Sequence, residues 1–198
     1  MTVEPRFSGI ILASQSPARA DLLHRLGLPF TQLPAHIDET PRPDEAPRAL
    51  SRRLASAKAE AIARQHPDAL VIGSDQVPVF QGSPFGKPGT LERGRRQLQE
   101  FSGNEVDFYT AVSVLGRNAG FEQSFVDTTT VHFRRLEAEE IDRYLATDDP
   151  LQCAGSFRVE SLGPSLFEWV RSEDPTALPG LPLIRLCHLL RQAGYALP

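Results

Sequence analysis

The stretch SGIILASQSPARADLLHRLG, residues 8–27, decides the fold class. Residues 8–14 form an apolar run bounded by turn formers, the pattern of a buried strand. Ser16 then stands as an N-cap, Pro17 at the first helical position, Leu22, Leu23 and Leu26 on one face, and Gly27 as a stop. A strand that runs straight into a helix N-terminus opens an α/β arrangement. Free backbone N–H groups and the positive helix end at this junction favour an anion. Arg19 in the first turn adds a fork of donors beside Ser14 and Ser16. The plain alternative is an ordinary capped helix with a solvated arginine.

Working outward, AHIDETPRPDEAP at 35–47 reads as a loop, because Pro41, Pro43 and Pro47 remove donors and bias their predecessors away from helix. A helix is predicted from Pro47 to about His66, with Leu50, Leu54, Ala57, Ala61 and Ile62 on one side, and it carries Lys58. Residues 69–73 read as a second buried strand ending at Ser74, Asp75 and Gln76, followed by a hairpin through Gln81, Gly82 and Ser83. Further elements are a helix from Thr90 to Phe101, strands Val106–Leu115 and Phe125–Phe133, a helix Glu137–Leu145, a strand Ser165–Val170 and a C-terminal helix Leu181–Ala193. No repeat, low-complexity tract or linker divides the chain.

The composition is that of an ordinary globular protein: 198 residues, 40% hydrophobic, 23% charged, formal net charge −4. No apolar run reaches the ~18 residues of a membrane helix, and Glu4 and Arg6 stand where a signal peptide needs an apolar core. The expected location is the cytoplasm. Cys153 and Cys187 lack metal or disulfide-framework spacing and are expected to be buried thiols. Only two of the 21 basic residues are lysines, Lys58 and Lys87. A net acidic chain with scattered arginines argues against a nucleic-acid surface.

Several positions carry candidate chemistry. Asp75, directly after an apolar strand, stands where open α/β sheets place ligand crevices, and partial burial would raise its pKa toward that of a useful base. A turn or cap residue is the alternative. Asp38 and Glu39 are oxygen donors of the kind that suit Mg²⁺ or Mn²⁺ beside phosphates. The segment GSPFGK at 82–87 lacks the Walker spacing and is no standard P-loop, yet it holds Lys87 in a constrained turn where an ammonium can meet a phosphate. There is no GxSxG or HExxH motif, and Trp169 and Phe167 alternate along a strand as packing residues do. Two basic turns, two acidic loops and a helical lysine point together to metal-assisted phosphate chemistry.

In order along the chain, LASQSPARADLLHRLGLPF, DETPRPDEAP, Lys58 in LASAKAEA, VIGSDQV, FGKPGT, FYTAV, CAGSF with Glu160, and GLPL resemble the Maf family of nucleoside triphosphate pyrophosphatases. The resemblance covers nearly the whole chain and implies one Maf-like domain over residues 1–198. It implies a mixed twisted sheet flanked by helices, with two lobes around a central cleft, similar to inosine triphosphate pyrophosphatases. It also implies cleavage between the α and β phosphates with a divalent metal, Mg²⁺ or Mn²⁺. By this resemblance Asp75 is the proton acceptor, Glu39 a metal carboxylate, Lys58 and Lys87 catalytic cations, and Ser14, Ser16 and Arg19 substrate-binding.

Gln76 and Glu160 resemble the branch acting on 7-methyl-GTP; the dTTP/UTP branch has Thr after the aspartate and Gln near the position of Glu160. A carboxylate can accept from both N1–H and the amino group of guanine, whereas thymine offers one donor there. Ala18 departs from the bulkier residue usual in the family, which removes a stacking contact; Ala111 and Pro179 are smaller departures. The expected partner is a nucleoside triphosphate, with no nucleic acid and no membrane, and a homodimer is left open. The alternatives are a dTTP/UTP pyrophosphatase and a nucleotide-binding regulator of cell division, in keeping with the septum inhibition that gave the family its name.

Overall fold

The computed structural model describes residues 6–197, so the reading of Glu4 lies outside the described residues. Strand β1 (Ile10–Ala13) feeds helix α1 (Pro17–His24), whose cap is Ser16: its hydroxyl accepts from the Arg19 amide. A short strand β2 (Phe30–Leu33), absent from the sequence reading, follows; four half-exposed residues give too brief a pattern to register. Helix α2 (Pro47–Ala63) precedes the long strand β3 (Leu70–Phe80) and the two-residue β4 (Ser83–Pro84). Helix α3 (Leu91–Phe101), the long strands β5 (Glu105–Gly116) and β6 (Phe121–Phe133), and helix α4 (Ala138–Asp148) come next. Strand β7 (Phe167–Arg171) and helix α5 (Leu183–Gln192) complete the chain.

One mixed sheet runs in the order β2-β1-β3-β5-β6-β7, with β4 on β3. β2, β1 and the first part of β3 are parallel; β3, β5, β6 and β7 are antiparallel. Asp75 therefore lies in mid-strand, not at the strand end that the sequence suggested. The strand continues because β5 pairs with it from Val71 to Val79. Pro78 does not break the strand. Its carbonyl faces the opposite edge, where it accepts from the Phe85 amide, so the missing N–H is not one the β5 ladder needs.

That opposite edge is what creates the cleft. β1 pairs with β3 only as far as Gly73, and β4 pairs only from Val79, so residues 74–78 have no strand partner on this side among the described residues. On one face of the sheet two apolar clusters flank this gap. One gathers Leu12, Leu22, Ile72, Val112 and Leu186 with α1 and α5; the other gathers Leu98, Phe101, Phe108, Phe133 and Ile141 with α3 and α4. Between them runs a polar seam of Ser74, Gln76 and Thr110. The other face is covered by α2.

Candidate active site

Helix α2 packs through Leu50, Leu54, Ala55, Lys58, Ala59 and Ile62, not through Ala57 and Ala61 as the sequence reading had it. The stripe is rotated because the helix backbone presses on Gly73: a Cβ there would collide with the Ala55 carbonyl and come within 2.7 Å of the Ala59 amide. Lys58 is thus carried in the middle of an apolar face, at i+4 from Leu54 and i−4 from Ile62. Its side chain is only 11% exposed. Its Nζ lies 2.6 Å from Asp75 Oδ1 and 2.7 Å from Glu39 Oε1.

Asp75 is 7% exposed. Burial pushes its carboxyl up, while the charges of Lys58 and Arg19 and the Lys58 hydrogen bond pull it back and Glu39 adds a further push. Ala111, fully buried, stands directly across the ladder from Asp75, so its methyl floors the same face. Arg19 is held from two sides: its Nε donates to the Gly180 carbonyl (2.9 Å) and its terminal nitrogen to Ser14 Oγ (3.3 Å). Burial lowers the guanidinium's pKa, and Asp75 and Glu39 act in the opposite direction. Ser14 Oγ also accepts from the Ser16 amide at 3.1 Å. Ser14, Ser16, Arg19, Lys58, Asp75 and Glu39 therefore form one constellation at the open edge of β3.

The proline-rich loop brings Glu39 there by a clamp the sequence reading missed. Arg53 on α2 grips Glu45 with both branches, at 2.6 and 2.7 Å, and donates to the Thr40 carbonyl. This pairing holds the Glu45 carboxyl down at about 2. Asp38 is turned away to accept from the Thr40 amide at 2.9 Å, which leaves Glu39 as the acid facing Lys58.

Gln76 points to the opposite face from Asp75, as strand alternation requires. Its amide nitrogen donates to Thr110 Oγ1 and to the carbonyls of Ala177 and Leu178. Ser74 Oγ donates to the Gly180 carbonyl, the same acceptor that holds Arg19. The 174–182 segment is thus a strap tied across the seam. Gly180, at φ 115°, is a backbone that favours glycine, and a Cβ would approach Arg19 Nε to 3.1 Å. The GLPL motif alone does not reveal this role, which depends on Arg19 packing against Gly180 from a distant segment.

Lys87 and Glu160 lie elsewhere, across the gap. Lys87 is exposed on the turn after β4, anchored by Gln97 donating to the Gly86 carbonyl and by the Gly89 amide donating to Leu151. Its charge and that of Glu160 both act on the half-buried Cys153 thiol, which burial pushes up first. Glu160 Oε1 is 3.8 Å from Arg158 Nε, both half in solvent. Ala18 lies half-buried in the first turn of α1. Both cysteines are half-buried and free, more open than expected.

Among the described residues no group of three metal-ligating side chains occurs. Two carboxylates held by one ammonium do fit Mg²⁺, which usually takes one or two carboxylates together with substrate phosphates and water.

Residues 9–193 match the family model described as Maf-like protein. The chain is 52% identical over 189 residues to a 7-methyl-GTP pyrophosphatase of Xanthomonas campestris, covering 96% of this chain and 98% of the relative. It is 50% identical to proteins of that name in Polaromonas (98% of this chain, 88% of the relative) and Nitrosococcus oceani (94% of each). Among solved structures, the Ham1 protein of Staphylococcus aureus aligns at TM-score 0.47 and 17% identity, over 64% of this chain and 72% of that one.

Proposed function

The chain belongs to the Maf-like family, and from that premise we propose that it hydrolyses 7-methyl-GTP to 7-methyl-GMP and pyrophosphate, keeping a modified nucleotide out of polymerisation. The observation that carries the catalytic part of the reading is Lys58 Nζ between Asp75 and Glu39, on an open strand edge beside Arg19. Asp75 takes the proton of the attacking water at its carboxylate; burial supports this by raising its basicity. Lys58 orients that carboxylate and places positive charge where the transferred phosphoryl gathers negative charge. Arg19, held by Gly180 and Ser14, and the amides at the start of α1 bind the triphosphate, with Lys87 reaching it from across the gap. A divalent cation, Mg²⁺ or Mn²⁺, would be held by Glu39 and would supply neutralising charge for the departing pyrophosphate.

Specificity is assigned to the far side of the cleft. Glu160 is half-exposed, so its carboxylate has acceptor capacity for a guanine edge, and its charge suits a base made cationic by 7-methylation. Gln76 acts through the strap, since its donors are engaged by Ala177 and Leu178. The cytoplasm as location belongs to the same proposal; among the described residues no helix is long and apolar enough to cross a membrane.

The test is purified protein with Mg²⁺ or Mn²⁺ against a nucleotide panel, with 7-methyl-GTP expected to turn over fastest. Faster release of pyrophosphate from dTTP or UTP overturns the specificity. Nucleotide binding without pyrophosphate release under either metal favours a regulator of cell division instead.

A further inference from the structure

A cavity of about 500 Å³ opens between the first turn of α2 and the outer stretch of β6, and three arginines, Arg48, Arg52 and Arg185, line it. β7 pairs with β6 only from Thr130 to Phe133, which leaves the outer edge near Ser124–Val126, the one away from β5, without a strand neighbour among the described residues. Arg48 is fixed there, donating to Thr128 Oγ1 (3.0 Å) and the Val126 carbonyl (3.3 Å). The Arg185 guanidinium lies over the Phe125 ring at 4.5 Å. Arg52 has no hydrogen bond or ion pair among the described residues. None of the three arginines is ion-paired there; the buried Asp127 feels the charge of Arg185 without forming a bridge to it.

The helix adds to this charge. α2 has no acidic residue in its first turn and no side-chain cap, so the Arg48 and Ala49 amides have no acceptor among the described residues. Three arginines and a helix end border a hollow at the sheet edge that Phe125 and Val126 also line. The volume falls in the range of small-molecule sites, ~300–1,000 Å³. β6 lies two strands from β3, so roughly 10 Å of sheet separates the cavity from Asp75.

We infer that this cavity is a second anion site, which takes a phosphate-bearing small molecule on Arg48, Arg52 and Arg185. Guanidiniums match phosphate oxygens in pairs, and the ring under Arg185 offers a flat apolar surface beside them. The shared chemistry is a multiply charged phosphate, supplied either by an inorganic anion or by a nucleotide.

Calorimetric titration of the full chain separates these sources, with inorganic pyrophosphate in one arm and GMP in the other. The wild type is expected to take two equivalents in at least one arm, and Arg52→Ala/Arg185→Ala to lose one of them while keeping its hydrolysis rate. Arg48 is left in place because its bonds hold β6. Arg52→Gln alone, which removes no hydrogen bond in the described chain, should weaken that equivalent about tenfold, as loss of a charge-assisted contact does. A second equivalent seen with pyrophosphate alone identifies the inorganic anion, and one seen with GMP alone identifies a nucleotide. The same stoichiometry and affinity in wild type and variants, including one equivalent throughout, overturns the inference, as does hydrolysis that falls in step with binding.

Discussion

The two lysines of this chain occupy opposite environments. Lys58 is buried on the inner face of α2 and held between two carboxylates at 2.6 and 2.7 Å. Lys87 is exposed on a turn across the gap, and the thiol on which its charge acts is half-buried. In the first region the protein has already set the geometry of the ammonium between its two carboxylates. In the second the backbone is anchored but the ammonium has no hydrogen bond or ion pair among the described residues, and in the proposed reading substrate completes the arrangement. In the proposed reading the near side of the cleft carries the chemistry, and the far side reads what enters.

By this division, substitutions on the near side should cost the most. Asp75→Asn should lower kcat by on the order of 10² to 10⁴, the usual worth of a general base, with the fold retained by circular dichroism. Activity within a few-fold of wild type removes Asp75 from that role. The pH profile carries a sign as well. Because burial raises the Asp75 pKa, the carboxylate protonates as pH falls through a value above the ordinary ~3.9, and kcat should fall there. Lys58→Gln removes a charge that pulls this value down, so the acidic limb should move to higher pH; Lys87→Gln should leave it in place.

Next in size is Lys58→Arg. A planar guanidinium does not fit where Nζ meets two carboxylates, and misplacement of this kind costs on the order of 10²-fold in kcat/KM. Glu160→Gln should act on selection instead, lowering the preference for 7-methyl-GTP over dTTP about tenfold, near the lower end for a hydrogen bond to a charged group. An unchanged ratio in the nucleotide panel counts against Glu160 as a reader of guanine. The smallest effect is expected for Lys87→Arg, no more than about fivefold, because an exposed cation contributes little through fixed geometry. A loss equal to that of Lys58→Arg would erase the contrast between the two regions.

Much of the architecture was legible because its signals are local. Ser16, Pro17 and Gly27 mark the ends of α1, Thr90 caps α3, and the apolar runs of β5 and β6 are long enough to be unambiguous. The short β2 was not legible, nor was the passage of β3 through Pro78, which depends on which edge of the strand is unpaired. At the site, Asp75, Glu39, Lys58, Arg19 and the two serines were marked by residue type and motif. Their supports were not. Arg53 and Glu45 look like solvated charges until the loop folds onto α2, and Gly73 looks like one more small strand residue until a helix presses on it.

By itself the sequence determined the α/β class, the places where strands meet helices, and the ordered motifs that mark the family, since caps, periodicity and motif order are properties of neighbours along the chain. Only the tertiary structure decided which charges meet. It rotated α2 so that Lys58 faces Asp75, drew Glu39 in through Arg53, and turned Gln76 to the other face. It also set the lysines apart, one within the core and one across the gap. These outcomes depend on close approach between segments distant in the chain, at Gly73, at Gly180 and along the open edge of β3, and no local pattern encodes such an approach.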